Sequence, residues 1–110
     1  MKEKLKELVD CALPKILSSL GTSDLKPERI RYDIELPKIK NHGDLSINLA
    51  FQIGRLIKRN PFEIAESCKK VIEQILRERK SDGAWIKEIR VERPGFINFK
   101  LTSQTLAGEL

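Results

Sequence analysis

The sequence predicts an α+β domain: a small, mainly antiparallel sheet with helices packed on one face, in the order α-β-α-α-β-β, then the start of another helix. Apolar residues recur at three- and four-residue spacing in several stretches and alternate with polar ones in shorter stretches. Gly, Pro, Asn or Asp punctuates the boundaries between them. A chain of 110 residues that is 40% apolar suits one compact domain with a modest core, burying roughly two-thirds of the surface it exposes when unfolded.

Leu5, Leu8, Val9, Ala12, Ile16, Leu17 and Leu20 form the stripe of a first helix, which Gly21 stops. Pro14 interrupts it, so a kink or two short helices are expected; the continuous pattern favours the kink. Ile30, Tyr32, Ile34 and Leu36 alternate with Arg31, Asp33 and Glu35 as a half-buried strand that Pro37 ends. A second helix is expected from Asp44, its cap, with Leu45, Leu49, Ala50, Ile53, Leu56 and Ile57 buried. Lys58 and Arg59 close it. Asn60, Pro61 and Glu63 then supply an N-cap, a first-turn proline and an N3 carboxylate for a third helix, lined by Phe62, Ile64, Ala65, Cys68, Val71, Ile72, Ile75 and Leu76.

Residues 77 to 83 read as a charged, solvated loop. Strands follow at about Ile86 to Glu92 and Phe96 to Thr102, joined through Pro94-Gly95. That pair suits a type II turn, whereas two-residue hairpins prefer the primed types, so a bulge or extra residues are expected and the register stays open. The domain is expected to occupy residues 1–102. Residues 103–110 start a helix behind Ser103 that stops after barely two turns, as if the chain were excised from something longer.

Lys and Arg number 21 against 16 Asp and Glu, a net charge of +5 that suits an anionic partner without requiring one. No apolar run reaches the roughly 18 residues of a membrane span, and the first residues resemble no secretory leader, so a soluble, cytoplasmic chain with no membrane partner is expected. Cys11 and Cys68 form no Cys-x-x-Cys, and one histidine completes no zinc set, so no metal is expected and both cysteines read as buried reduced thiols. No Gly-rich phosphate loop is visible.

The last strand forces a choice of face. If Ile97, Phe99 and Leu101 meet the helices, Phe96, Asn98 and Lys100 point away. An outward aromatic can stack on a base, and the neighbouring amide can both donate to and accept from a base edge. Lys100 and Arg93 can hold phosphates. The bland alternative has Phe96 packed on the turn and Asn98 solvated. In Asn41-His42-Gly43-Asp44 a histidine near a carboxylate suggests an acid-base pair, but glycine and a capping aspartate favour a structural role. Lys38 and Lys40 make that loop positive and are candidate phosphate contacts, a patch that Arg55, Lys58 and Arg59 would extend.

His42-Gly43-Asp44-Leu45-Ser46-Ile47-Asn48-Leu49-Ala50, Asn60-Pro61 with Ile64-Ala65, and Pro94-Gly95-Phe96-Ile97-Asn98-Phe99 together resemble the N-terminal additional domain of arginyl-tRNA synthetase, over nearly the whole chain. The resemblance implies a domain that contacts the D-loop at the outer corner of arginine-specific tRNA. It implies base stacking for Phe96 and hydrogen bonding for Asn98, with Arg93 contacting either a base or a phosphate. It also implies further domains of a parent enzyme, among them a class I catalytic domain that uses ATP and arginine. The paired-histidine ATP signature of that class is not in this sequence, so no cofactor and no catalytic residue are expected here. Two other readings stay open. One is a protein-interaction or structural module docking through the outer strand face or a helix face; the weaker is a small independent enzyme.

Overall fold

In the computed structural model, which describes residues 2–22, 24–36, 45–78 and 85–101, the first apolar stripe winds into one helix, α1 (Lys2–Ser19), with Pro14 inside it. Pro14 lies on the exposed side, away from the buried row that runs from Leu5 to Leu17, so the backbone hydrogen bond it removes faces water. At the other end Gly21 takes φ 75°, a left-handed conformation that glycine adopts without strain. Thr22 N–H donates to the Leu17 carbonyl at 2.8 Å and Gly21 N–H to that of Ser18 at 3.1 Å, the paired bonds of a Schellman stop.

Neither cysteine is in a disulfide, but only Cys68 is buried. Cys11 is exposed, contrary to the expectation of two buried thiols. At 100° per residue it falls roughly 150° round α1 from the middle of the apolar stripe, which Leu13 extends on the opposite side. Burial pushes the Cys68 thiol up to about 12, its own backbone hydrogen bond acting in the opposite direction.

The expected strand over residues 30–36 shrinks to β1 (Ile34–Glu35), behind a 3-10 turn at Pro27–Arg29. Its first half is held by side chains and not by a ladder. Tyr32 Oη donates to Asp10 Oδ1 at 2.7 Å, and Lys6 Nζ lies 5.0 Å from the Tyr32 ring centroid. Partial burial, that hydrogen bond and the Asp10 charge all push the tyrosine pKa up. Pairing is short because the partner strand is short: β2 (Leu45–Ile47) occupies the start of the expected second helix. Helix α2 (Leu49–Ile57) begins four residues later than Leu45, with Asn48 at its N-cap position. Asn48 Oδ1 accepts from Asp33 N–H at 2.7 Å and its backbone N–H donates back to the Asp33 carbonyl at 3.4 Å, so the asparagine ties β1 to β2 and does not cap the helix. Asp44, the expected cap, lies outside the described residues.

Helix α3 (Pro61–Glu78) starts where the sequence places it, and Asn60 Oδ1 accepts from Phe62 N–H at 2.8 Å. β3 (Ile86–Glu92) and β4 (Phe96–Leu101) also fall where the alternation predicts, Thr102 lying outside the described residues. The four strands form one antiparallel sheet ordered β1-β2-β4-β3, with a register shift between Ile86 and Glu88. The link between β3 and β4 is three residues, Arg93-Pro94-Gly95, with a cis Arg93–Pro94 peptide and Glu92 opposite Phe96. The short helix expected at 103–110 lies outside the described residues.

Register separates the two faces of the sheet. Ile34, Ile47, Ile97 and Val91 form one row across it, and Leu45, Phe99 and Ile89 the next. This face meets the buried residues of the helices, and Phe99, Ile47, Ile97, Leu49, Ile53, Ile64 and Ile72 are at most 1% exposed. Successive side chains alternate faces, so the opposite, outer face carries Glu35, Ser46, Asn98 and Arg90 in one row, Phe96 with Glu92 in another, and Lys100 with Glu88 in a third.

Two outcomes follow. Pro14→Ala should raise stability by about 2 kcal/mol, the roughly 3 kcal/mol of an interior helical proline less the roughly 1 kcal/mol that proline gains by stiffening the unfolded chain. Urea unfolding monitored by circular dichroism measures it. Alkylation near neutral pH should modify Cys11 in the native chain and Cys68 only after denaturant is added, read by intact mass.

Candidate functional site

Phe96 opens β4 on the outer face and is 39% exposed. Its ring meets Phe51 of α2 edge-to-face, with centroids 4.9 Å apart and planes at 67°. Such a pair contributes about 0.5–1.5 kcal/mol beyond the area it buries and sets the plane of the exposed ring. Phe96 is the only apolar residue among the described outer-face positions that pair across the sheet. This face therefore offers a single ring in polar surroundings and no broad apolar patch.

Asn98, one pleat further along, sits between Ser46 and Arg90 in the same row and is 4% exposed. Among the described residues its side-chain amide makes no hydrogen bond, and no fully buried side-chain nitrogen or oxygen lacks a partner. The tip of the amide thus keeps contact with solvent while the rest of the residue is covered. An amide offers both a donor and an acceptor, so a tip that no described residue engages suits a ligand that supplies one of each.

Lys100 shares the face but stands directly opposite Glu88, which also binds Arg90 Nε at 2.6 Å. Among the described residues the outer face is close to charge-balanced, with Glu35, Glu88 and Glu92 set against Arg90 and Lys100. Arg93 lies beyond this row, in the turn, with its guanidinium carbon 4.5 Å from the centroid of the Phe62 ring. Lys38 and Lys40 lie outside the described residues, as do His42 and Asp44. Of the basic residues at the end of α2, Arg59 donates from Nη1 to the Leu20 carbonyl at 3.2 Å and so closes the end of α1.

Backbone packing brings these residues together. A methyl group at Gly95 would lie 2.9 Å from Pro61 Cβ and 3.0 Å from its carbonyl carbon; one at Gly54 would lie 2.9 Å from the Arg59 carbonyl oxygen and 3.7 Å from Pro61 Cα. The hairpin turn, the last turn of α2 and the first turn of α3 thus converge on Pro61 with little side chain between them. Phe51 and Phe62, which support Phe96 and Arg93, are missed by reading the strand alone, and Phe62 appears in the sequence only as a core position of α3. The pairing of Gly95 with a proline that opens a helix is the signal that connects them.

These features define a class: a small α+β domain that presents one aromatic ring and an adjacent amide on the outer face of its sheet. Among the described residues no group of three or more His, Cys, Asp or Glu gathers, and no helix is long and apolar enough to cross a membrane. The sequence model for the arginyl tRNA synthetase N terminal domain matches residues 3–101. Arginine-tRNA ligases of Listeria welshimeri and Geobacillus kaustophilus are each 36% identical to the chain over 106 residues, and that of Geobacillus thermodenitrificans is 38% identical. Each alignment covers 96% of this chain and 17% of the relative. The chain belongs to the arginyl-tRNA synthetase N-terminal domain family. It spans about a sixth of the length of these relatives.

Gly95→Ala should cost about 1–3 kcal/mol, because the added methyl meets backbone that cannot swing aside. Thermal unfolding measures the loss; an unchanged Tm would show that the turn relaxes away from Pro61.

Proposed function

We propose that this chain binds arginine-specific tRNA at the outer corner of its L, with a D-loop base stacked on Phe96 and hydrogen-bonded at its edge by Asn98. The observation that carries this reading is the pairing of a part-exposed ring, backed by Phe51, with an adjacent amide that no described residue engages. Single-stranded loops are where proteins read RNA sequence, through splayed bases stacked on aromatic rings. Arg93 and Lys100 flank the base, and Lys38 and Lys40 contact phosphates beside it. In a longer, cytoplasmic enzyme the domain supports charging of the tRNA with arginine by a class I catalytic domain that uses ATP and arginine; the domain itself holds no cofactor. Its share is binding energy supplied far from the reacting centre, which helps to position the acceptor end.

Binding of this chain to a transcript of the arginine tRNA tests the reading. Phe96→Ala should weaken it by about 5- to 100-fold, the worth of one stacked base, and Asn98→Ala by about 5- to 30-fold. On a transcript lacking the contacted D-loop base, both substitutions should lose most of their effect. NMR titration supplies the second readout: the Asn98 side-chain amide signals should move on addition of tRNA. If they stay still while other regions shift, this face is not where the tRNA binds.

A further inference from the structure

We infer that Arg93, held over the Phe62 ring, is a phosphate seat for the nucleotide chain beside the base on Phe96, and that Phe62 is its positioning residue. The inference rests on the tRNA-binding reading above and decides between the two roles that the sequence leaves open for Arg93. The guanidinium carbon lies 4.5 Å from the Phe62 centroid, while Arg93 itself is exposed. The described residues include no ion-pair partner for it, whereas Arg90 in the neighbouring strand is bound to Glu88. The guanidinium therefore rests against a ring in a residue that stays exposed. That arrangement suits a doubly hydrogen-bonded phosphate, with part of the arginine's rotamer freedom lost before binding.

The placement is built in by the backbone. Gly95 is wedged on Pro61, the residue before Phe62, so the turn that carries Arg93 and the helix start that carries Phe62 are fixed to each other. The Phe62 N–H is a poorer alternative donor, because it is already taken by Asn60 Oδ1. Arg93 opens the three-residue link that Phe96 follows. Their closeness in the hairpin is what puts a phosphate of a strand with its base on Phe96 within the proposed reach of Arg93.

The salt dependence of tRNA binding by this chain separates the roles. Arg93→Gln should flatten the slope of log K against log salt by about 0.7–0.9, the contribution of one phosphate. Its loss of affinity should be the same on transcripts with and without the contacted D-loop base. Phe62→Leu, which keeps apolar bulk and removes the ring, should weaken binding by about two- to five-fold, and Phe62→Tyr should restore it. An unchanged slope in Arg93→Gln overturns the seat, and so does a loss seen only when the D-loop base is present, which would make Arg93 a base contact. Wild-type binding by Phe62→Leu overturns the positioning role. In these cases the effects of Phe96→Ala and Asn98→Ala would leave the base-reading proposal standing, whereas a chain that binds no tRNA transcript overturns both.

Discussion

The site depends on backbone contact at Pro61. Glycine at 95 lets the β3–β4 turn approach Pro61, the first residue of α3, to distances that exclude a methyl group, and glycine at 54 leaves room for the Arg59 carbonyl oxygen where the chain passes from α2 to α3. A side chain at 95 would push the turn away from α3, and the contact of Arg93 with Phe62 would open. Phe51 touches Phe96 because α2 is drawn toward the start of β4, and Phe62 lies under Arg93 because the turn is drawn toward α3. Neither contact follows from its own segment. The helix that follows Pro61 is independently secured by Asn60, so the point on which the other elements converge is itself fixed.

The sheet carries this geometry to the outer face. Its inner rows are entirely apolar, and exchanging Leu45, Ile47, Ile89, Ile97 or Phe99, each at most 5% exposed, for a polar group would leave an unsatisfied group in the core. That requirement determines the register, since a slip by one residue would turn Ile97 and Phe99 outward and Asn98 inward. The position of Asn98 on the outer face is thus enforced by the burial of its neighbours. It lies in an interior strand, between β2 and β3, and is 4% exposed.

Much of this is legible in the sequence, and the exceptions have physical causes. Long periodic segments such as α1 and α3 declare themselves because many residues vote for one phase, and seven- and six-residue alternations suffice for β3 and β4. Leu45-Ser46-Ile47 contains only one full alternation, and Leu45 stands four residues before Leu49, a spacing equally suited to a helix face. β1 reads as longer than it is because Tyr32 is apolar in pattern yet spends its hydroxyl on Asp10 of α1. Phe96 and Asn98 are legible as candidates from alternation alone. Phe51 and Phe62 are not, because their contacts come from close approach of segments distant in the chain, which periodicity does not encode.

Among the described residues the outer face of the sheet itself carries little net charge. The net charge of +5 suggests electrostatic capture, yet the outer face sets three carboxylates against Arg90 and Lys100, and two of these charges neutralise each other in the Glu88–Arg90 pair. Affinity arising here has to come mainly from one stacked ring, worth about 1–3 kcal/mol, and a few hydrogen bonds. Alone, that sum corresponds to weak binding, because association must first overcome lost translational and rotational freedom. Attached to a larger RNA-binding enzyme, the same contacts become intramolecular and act at an effective concentration near millimolar, where a few kcal/mol decides whether the correct RNA stays bound. On the proposed reading, a nearly neutral face is then an advantage: it adds little to non-specific attraction for phosphate, so the energy it contributes goes to telling one loop from another.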